Sequence, residues 1–182
     1  AVAVSLALGV VEPYGSGLGG KLELVFFDKG SGKTVVVSAL DAAPASLDPA
    51  VFQALPYAAR REGGASVAIP GSPAGLMQAH ERWGVLKREE VFAPAVELAR
   101  EGFTLTPEAR PFFEAQLEKL QEHEHLSRAY LVNGVPPDTG TRLRNEALAR
   151  TLETMADRGA EGFYRGDVAE SIVATIRKHG GT

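Results

Sequence analysis

The hydrophobic positions of the first 40 residues predict an apolar helix followed by a β-hairpin. Residues 1–11 are apolar on nearly every face of a helix, a pattern typical of a helix that is buried on all sides. Pro13 ends this helix, because the residue before a proline is pushed out of the α region, and the glycine-rich stretch 16–20 turns the chain. Leu22–Phe27 and Thr34–Leu40 are short runs rich in β-branched and aromatic residues on either side of a polar turn, which predicts a hairpin.

The second of these runs contains three consecutive valines, Val35, Val36 and Val37. Side chains alternate between the two faces of a strand, so a run without alternation predicts a strand that is buried on both faces.

The apolar positions after residue 73 recur at spacings of three and four, which predicts a series of helices. The predicted helices are Pro73–Trp83, Arg88–Glu101, Pro107–Glu124, Asn145–Arg158 and Asp167–His179. The glycines predicted as left-handed C-caps are Gly84, Gly102, Gly159 and Gly180. The predicted N-caps are Asp48, which precedes Pro49 and opens a short helix, Thr106 and Asp167.

Together these elements predict a mixed α+β or α/β fold, in which a hairpin precedes a helical body. No internal repeat or long linker is present, so residues 1–182 are expected to contain no internal domain boundary. Ala1 already lies in the apolar helix, without a preceding cap, which indicates a fragment of a longer chain.

The composition excludes several classes of site. The 182 residues carry a formal net charge of −4, which leaves no excess of Lys and Arg to neutralise the phosphates of a nucleic acid. The absence of Cys excludes disulfides, thiolate zinc sites and iron–sulfur clusters, and leaves the compartment undetermined. The apolar stretch 1–11 is too short to span a bilayer.

Three motifs raise hypotheses about ligands. Gly30–Thr34 resembles the end of a phosphate-binding loop, but Phe27 stands where the first glycine is required and a strand follows, which favours a hairpin turn. The loop 16–20 could present backbone N–H groups to a ligand or be a plain turn, and both interpretations stay open. On one helix, His123 and His125 would point about 200° apart, so they could not share a metal ion. No nucleophile elbow or thiol is present, so no catalytic residue is visible in this chain.

Several segments, in order, resemble the large subunit of γ-glutamyltransferases. These segments are Ala1–Pro13 running into Ser16–Gly20, Ala43–Ala45, Val67–Gly75, Ala79–Gly84, Ala93–Ala95 with Ala99–Phe103, Leu148–Leu152, and Gly162–Gly166. The resemblance covers nearly the whole chain, and it rests on the order and spacing of many short blocks.

The resemblance implies an autoprocessed enzyme of the N-terminal-nucleophile hydrolase superfamily. Its fold would be a four-layer αββα sandwich, to which this chain contributes a hairpin and a mostly helical body as part of a large-subunit domain truncated at both ends. In that family the nucleophile is the threonine freed at the start of the small subunit, since its own α-amine can then act as the base. Thr182 ends a Gly-Gly-Thr that resembles a loop upstream of the cleavage point, so it is not this nucleophile.

The resemblance also implies the partners of the chain. These would be a small subunit cut from the same precursor and a small-molecule substrate, either a γ-glutamyl compound or another amide. No metal or organic cofactor is implied, and the family resemblance points to a periplasmic or extracellular location.

One substrate contact is implied within this chain, at Leu40 and Asp41. In the family an arginine shortly before an Ala-Pro element pairs with the glutamyl α-carboxylate, and an acidic residue follows it. Aligned on Ala43 and Pro44, Leu40 takes the arginine's position and Asp41 that of the acidic residue. Leucine would replace two charge-assisted hydrogen bonds with an apolar wall, which puts γ-glutamyl specificity in question. A second departure is Lys21, where the family's glycine-rich loop continues with glycine.

Two alternatives therefore stay open beside the ordinary family activity. The first is an acylase that acts on a non-glutamyl group. The second is a catalytically silent relative in which this chain is a structural or binding body.

Overall fold

The computed structural model describes residues 1–182 as a mixture of helices and short strands. The helices are α1 (Val2–Val11), α2 (Pro49–Ala54), α3 (Ser72–Trp83), α4 (Arg88–Glu101), α5 (Arg110–Ala115), α6 (Leu117–Glu122), α7 (Glu124–Tyr130), α8 (Glu146–Arg158), α9 (Glu161–Tyr164) and α10 (Gly166–Lys178). The strands are β1 (Leu22–Asp28), β2 (Lys33–Ala39), β3 (Phe103–Thr104) and β4 (Arg142–Leu143). The prediction of a hairpin followed by a mostly helical body is confirmed.

The chain forms two compact units, each built from two separate segments. The first unit comprises residues 1–17 and 86–156, and the second comprises residues 18–85 and 157–182. The expectation that residues 1–182 contain no internal domain boundary stays a prediction. No helix is long and apolar enough to cross a membrane.

In the first unit, α1 packs against α4 along one face. Leu6 and Val10 of α1 are buried, as are Phe92 and Ala95 of α4. Another part of the α1 surface is open, since Val4 is 60% exposed. The expectation that α1 is buried on all sides is therefore not met within this chain.

The segment predicted as one helix over Pro107–Glu124 instead contains two short helices, α5 and α6, and ends where a third, α7, begins. Gln116 (φ −113°, ψ 14°) and His123 (φ −119°, ψ 109°) leave helical geometry. These breaks turn the chain so that Leu120 and Tyr130 pack on a small core. That core consists of Leu105, Ala109, Phe113 and Leu143. The prediction of a continuous helix was wrong because the apolar spacing is also satisfied by a chain that folds around this core.

In the second unit, β1 and β2 form the predicted antiparallel hairpin, in a register that pairs Leu22 with Ala39 and Asp28 with Lys33. The turn is closed by the Asp28 carboxylate, which accepts hydrogen bonds from the Gly30 N–H (2.9 Å) and the Ser31 hydroxyl (2.6 Å). These two bonds lower the pKa of Asp28.

The two faces of the hairpin differ in burial. One face lies on α3, where Val37 is buried and the rings of Phe26 and Trp83 stack at 4.5 Å. The other face carries Val25, Phe27 and Val36, and Val36 is 64% exposed. The prediction that the valine run is buried on both faces is not met, because the outer face is exposed in this chain.

The predicted helix caps are partly correct. Asp48 caps α2, accepting from the Ala50 N–H at 2.8 Å. Thr106 and Asp167 are not N-caps, since α5 and α10 are preceded by Ala109 and Arg165.

Among the predicted C-cap glycines, Gly159 and Gly180 have the expected positive φ, of 64° and 83°. Gly102 also has a positive φ, but with an extended ψ of 158°. Gly84 does not have the predicted positive φ. Its φ is −69°, a value that any residue adopts.

Candidate functional site

The candidate site is built around Leu40 and Asp41. These two residues connect the end of β2 to a second point at which the backbone pairs with another segment. Directly after them, Ala42 pairs with Ile69 in an isolated antiparallel bridge. The two residues exchange N–H to carbonyl hydrogen bonds of 3.1 and 2.8 Å. The Leu40–Asp41 segment is therefore held at both ends by backbone hydrogen bonds.

The N-terminus of α3 packs directly against this segment at Gly71. A Cβ on Gly71 would overlap the carbonyl oxygens of Ala39 and Leu40, so only glycine permits this close approach. The N–H groups of Gly71 and Ser72 both donate to the Gly20 carbonyl, at 3.1 and 3.0 Å. The end of the glycine-rich loop and the Leu40–Asp41 segment consequently meet at the start of α3.

Leu40 and Asp41 both present their side chains to the surface. Leu40 is 54% exposed, and Asp41 is exposed with no hydrogen bond or ion pair in the chain. Leu40 offers an apolar contact for an aliphatic group, and the Asp41 carboxylate offers acceptors for an ammonium. Leu40 and Asp41 provide no cation to bind a carboxylate. Lys21, which stands where the family's glycine-rich loop continues with glycine, is exposed.

The Tyr164 hydroxyl joins the C-terminal part of the second unit to the start of α3. It donates to the Pro70 carbonyl at 2.5 Å and accepts from the Ala74 N–H at 3.3 Å. Burial raises the pKa of the Tyr164 hydroxyl. Sequence reasoning had no signal for this contact, because it joins residues about 90 positions apart.

Of the other motifs, Gly30–Thr34 forms the hairpin turn and the start of β2, as the structural alternative predicted. His123 is not helical, and its ring lies 5.9 Å from that of His125. The prediction that the two side chains point about 200° apart on one helix was therefore wrong. Residues 1–182 contain no group of three or more His, Cys, Asp or Glu side chains that could hold a metal ion.

The solved structures that share this fold define the class of the protein. A gamma-glutamyltranspeptidase from Helicobacter pylori superposes with a TM-score of 0.92 at 25% identity, covering 99% of this chain and 53% of that one. A cephalosporin acylase from Bacillus halodurans superposes with a TM-score of 0.87 at 29% identity, covering 100% of this chain and 35% of the other. The chain thus shares its fold with proteins of the N-terminal-nucleophile hydrolase type.

Sequence comparison gives the family. The profile of gamma-glutamyltranspeptidase matches residues 1–182, and this chain belongs to that family. A glutathione hydrolase proenzyme of Bacillus subtilis is 31% identical over 193 residues, covering 100% of this chain. The chain spans only about a third, 32%, of the length of that relative.

Proposed function

We propose that this chain is the large-subunit portion of an autoprocessed, γ-glutamyltransferase-like amide hydrolase or acyltransferase. The observation that carries the proposal is the family match over all 182 residues. The chain covers about a third of a relative that is itself named a proenzyme, which supports a subunit cut from a longer precursor. The partner chain would supply the nucleophilic threonine at its N-terminus, and this chain alone would be inactive.

The proposed reaction uses that threonine in two steps. The threonine hydroxyl attacks the amide carbonyl while the α-amine of the same residue takes its proton. The C–N bond then breaks, the proton passes to the departing amine, and an acyl-enzyme remains. Water or a second amine attacks this ester and releases the acid or the transferred product, so hydrolysis and transfer differ only in the acceptor.

In the proposed complete enzyme the two chains would form a four-layer αββα sandwich. The β1–β2 hairpin would belong to its sheet layers, which would bring cover to the exposed face of Val25, Phe27 and Val36. Exposed apolar residues on one face of a strand pair are typical of a surface that packs against another element.

The Leu40–Asp41 segment would form part of the acyl pocket. Asp41 would bind the ammonium of an amino-acid-like acyl group, and Leu40 would contact its aliphatic part. Without the family's arginine, the pocket offers no bidentate partner for an α-carboxylate at this position. Selectivity for γ-glutamyl compounds over other acyl groups should be reduced.

A second candidate is an acylase for non-glutamyl groups. Leu40 favours it, because an apolar wall suits an acyl chain without a carboxylate. The similarity to a cephalosporin acylase shows that this scaffold also occurs in such an enzyme. The leucine at position 40 also motivates the alternative of a catalytically silent relative.

A mass spectrum and an assay on the full-length protein test these proposals together. We expect two fragments, and hydrolysis of γ-glutamyl-p-nitroanilide compared with butanoyl-p-nitroanilide then identifies the acyl group. Two fragments with γ-glutamyl turnover would support the ordinary family activity, and turnover of the butanoyl compound alone would support the acylase. An uncut protein that hydrolyses neither compound would refute both enzymatic proposals.

A further inference from the structure

The Tyr164 hydroxyl satisfies two backbone groups that have no other partner in the fold. Ala74 lies in the first turn of α3, where N–H groups have no intrahelical acceptor, and the residue before this helix supplies no side-chain cap. Pro70 has no N–H, so its carbonyl is its only backbone polar group. Tyr164 accepts from the first and donates to the second.

Pro70 lies between the two residues that fix the Leu40–Asp41 segment. On one side, Ile69 pairs with Ala42 at the end of the segment. On the other side, Gly71 packs against the Leu40 carbonyl. A shift of Pro70 would therefore move both contacts together, although Tyr164 touches neither Leu40 nor Asp41.

The Tyr164 ring lies beside a buried aromatic residue. It is half-buried, and its neighbour Phe163 is buried and meets it edge to face at 5.1 Å. Both belong to the short helix α9, which precedes α10. The hydroxyl thus reaches Pro70 and Ala74 from α9.

We propose that Tyr164 is a positioning residue for the acyl pocket, which acts through Pro70 and Gly71 to set the position of Leu40 and Asp41. The inference rests on the proposed role of the Leu40–Asp41 segment in binding the acyl group. It assigns to α9 a part in substrate selectivity, without contact to substrate.

The test compares Tyr164→Phe with a matched control, Tyr130→Phe, in the full-length protein. Both changes remove one hydroxyl, and the Tyr130 hydroxyl accepts from Asn145 (3.4 Å) within the first unit, whereas the Leu40–Asp41 segment belongs to the second. The loss of a hydrogen bond that positions a site is expected to change KM by roughly fivefold. In Y164F the ratio of kcat/KM for γ-glutamyl- to butanoyl-p-nitroanilide should change by about that factor, through KM, with kcat within about twofold. Y130F should leave the ratio unchanged.

A second readout does not depend on activity. The amide hydrogens of Ala42 and Ile69 should exchange about fivefold faster in Y164F than in the unsubstituted protein, and at the same rate in Y130F. An unchanged substrate ratio in folded, cleaved Y164F, or unchanged exchange at both amides, would overturn the positioning role. If the unsubstituted protein hydrolyses neither anilide, the proposed function fails, and the exchange rates alone decide whether Tyr164 holds the segment.

Discussion

The close contact at Gly71 gives the sharpest prediction about the candidate site. In Gly71→Ala, the new methyl group would overlap the carbonyl oxygens of Ala39 and Leu40. Both obstacles are backbone atoms, so no side-chain rotation can relieve the overlap. The start of α3 would have to move away from β2 by on the order of 1 Å, the distance needed to restore ordinary contact.

This movement has a cost that can be estimated from the contacts it strains. Overpacking of a tight contact costs about 1–3 kcal/mol. The hydrogen bonds from Gly71 and Ser72 to the Gly20 carbonyl, 3.1 and 3.0 Å long, would also lengthen, adding about 1 kcal/mol. We expect a loss of roughly 2–4 kcal/mol in the free energy of unfolding, and therefore a lower Tm.

The assay is thermal unfolding of the full-length protein, with Gly19→Ala as the control. Gly19 has no atom within 4 Å of the position of an added Cβ, so this change tests only the loss of glycine in the same region. If G71A unfolds at the same temperature as G19A, the close packing of α3 on β2 is not a real constraint. The argument that Gly71 fixes the position of Leu40 would then be refuted.

Three further changes test the site and the two units. Leu40→Arg should raise kcat/KM for γ-glutamyl-p-nitroanilide by about ten- to a hundredfold if the acyl pocket contains this position, and an unchanged value would contradict it. Gly64→Ala should lower the free energy of unfolding by about 1–3 kcal/mol, because the new methyl group would overlap the Ile176 carbonyl of α10. Thermal unfolding of the full-length protein measures this, and a Tm equal to that of G19A would refute it. Hydrogen bonds from Arg100, at 2.6 and 2.7 Å, lower the pKa of the Glu153 carboxyl. The stabilisation that they provide is therefore present above the unfolded-state pKa of this carboxyl. It is lost as the pH falls through the lower folded-state pKa. Glu153→Gln should therefore lower Tm slightly at pH 7, and this effect should shrink as the pH falls through the folded-state pKa of Glu153. An effect of the same size across the acid range would exclude the ion pair as its cause.

The elements that the sequence predicted well are those determined by local signals. The hairpin is marked by two β-type runs and by a turn in which Asp28 bonds to residues two and three positions later. Helix α4 has the predicted bounds, Arg88–Glu101, because Gly102 follows directly and the apolar spacing is unbroken. Asp48 before Pro49 is likewise a local signal, and it identified the start of α2.

The elements that were mispredicted depend on contacts distant in sequence. Nothing in the local pattern distinguishes one long helix from the three short ones that place Leu120 and Tyr130 on the core around Phe113. Apolar character along α1 and β2 likewise predicted burial without showing what covers each face. Val4 and Val36 are both exposed in this chain, so apolar character alone does not identify the buried face of an element.

The candidate site shows the same division between local and distant information. The positions of Leu40 and Asp41 came from a family alignment, whereas their support by Gly71 and Tyr164 is visible only in three dimensions. Leu40 contributes to that support through its carbonyl group and not through its side chain, which is 54% exposed.

This arrangement separates the stability of the segment from the identity of the residue at position 40. The bonds that hold the Leu40–Asp41 segment are backbone to backbone, between Ala42 and Ile69 and between α3 and Gly20. A change of the exposed side chain at position 40 leaves all of them intact, and exposed positions without such contacts tolerate substitution within about 0.5 kcal/mol. An arginine and a leucine can therefore occupy the same backbone position at similar stability, so the acyl preference can change while the scaffold around it stays the same.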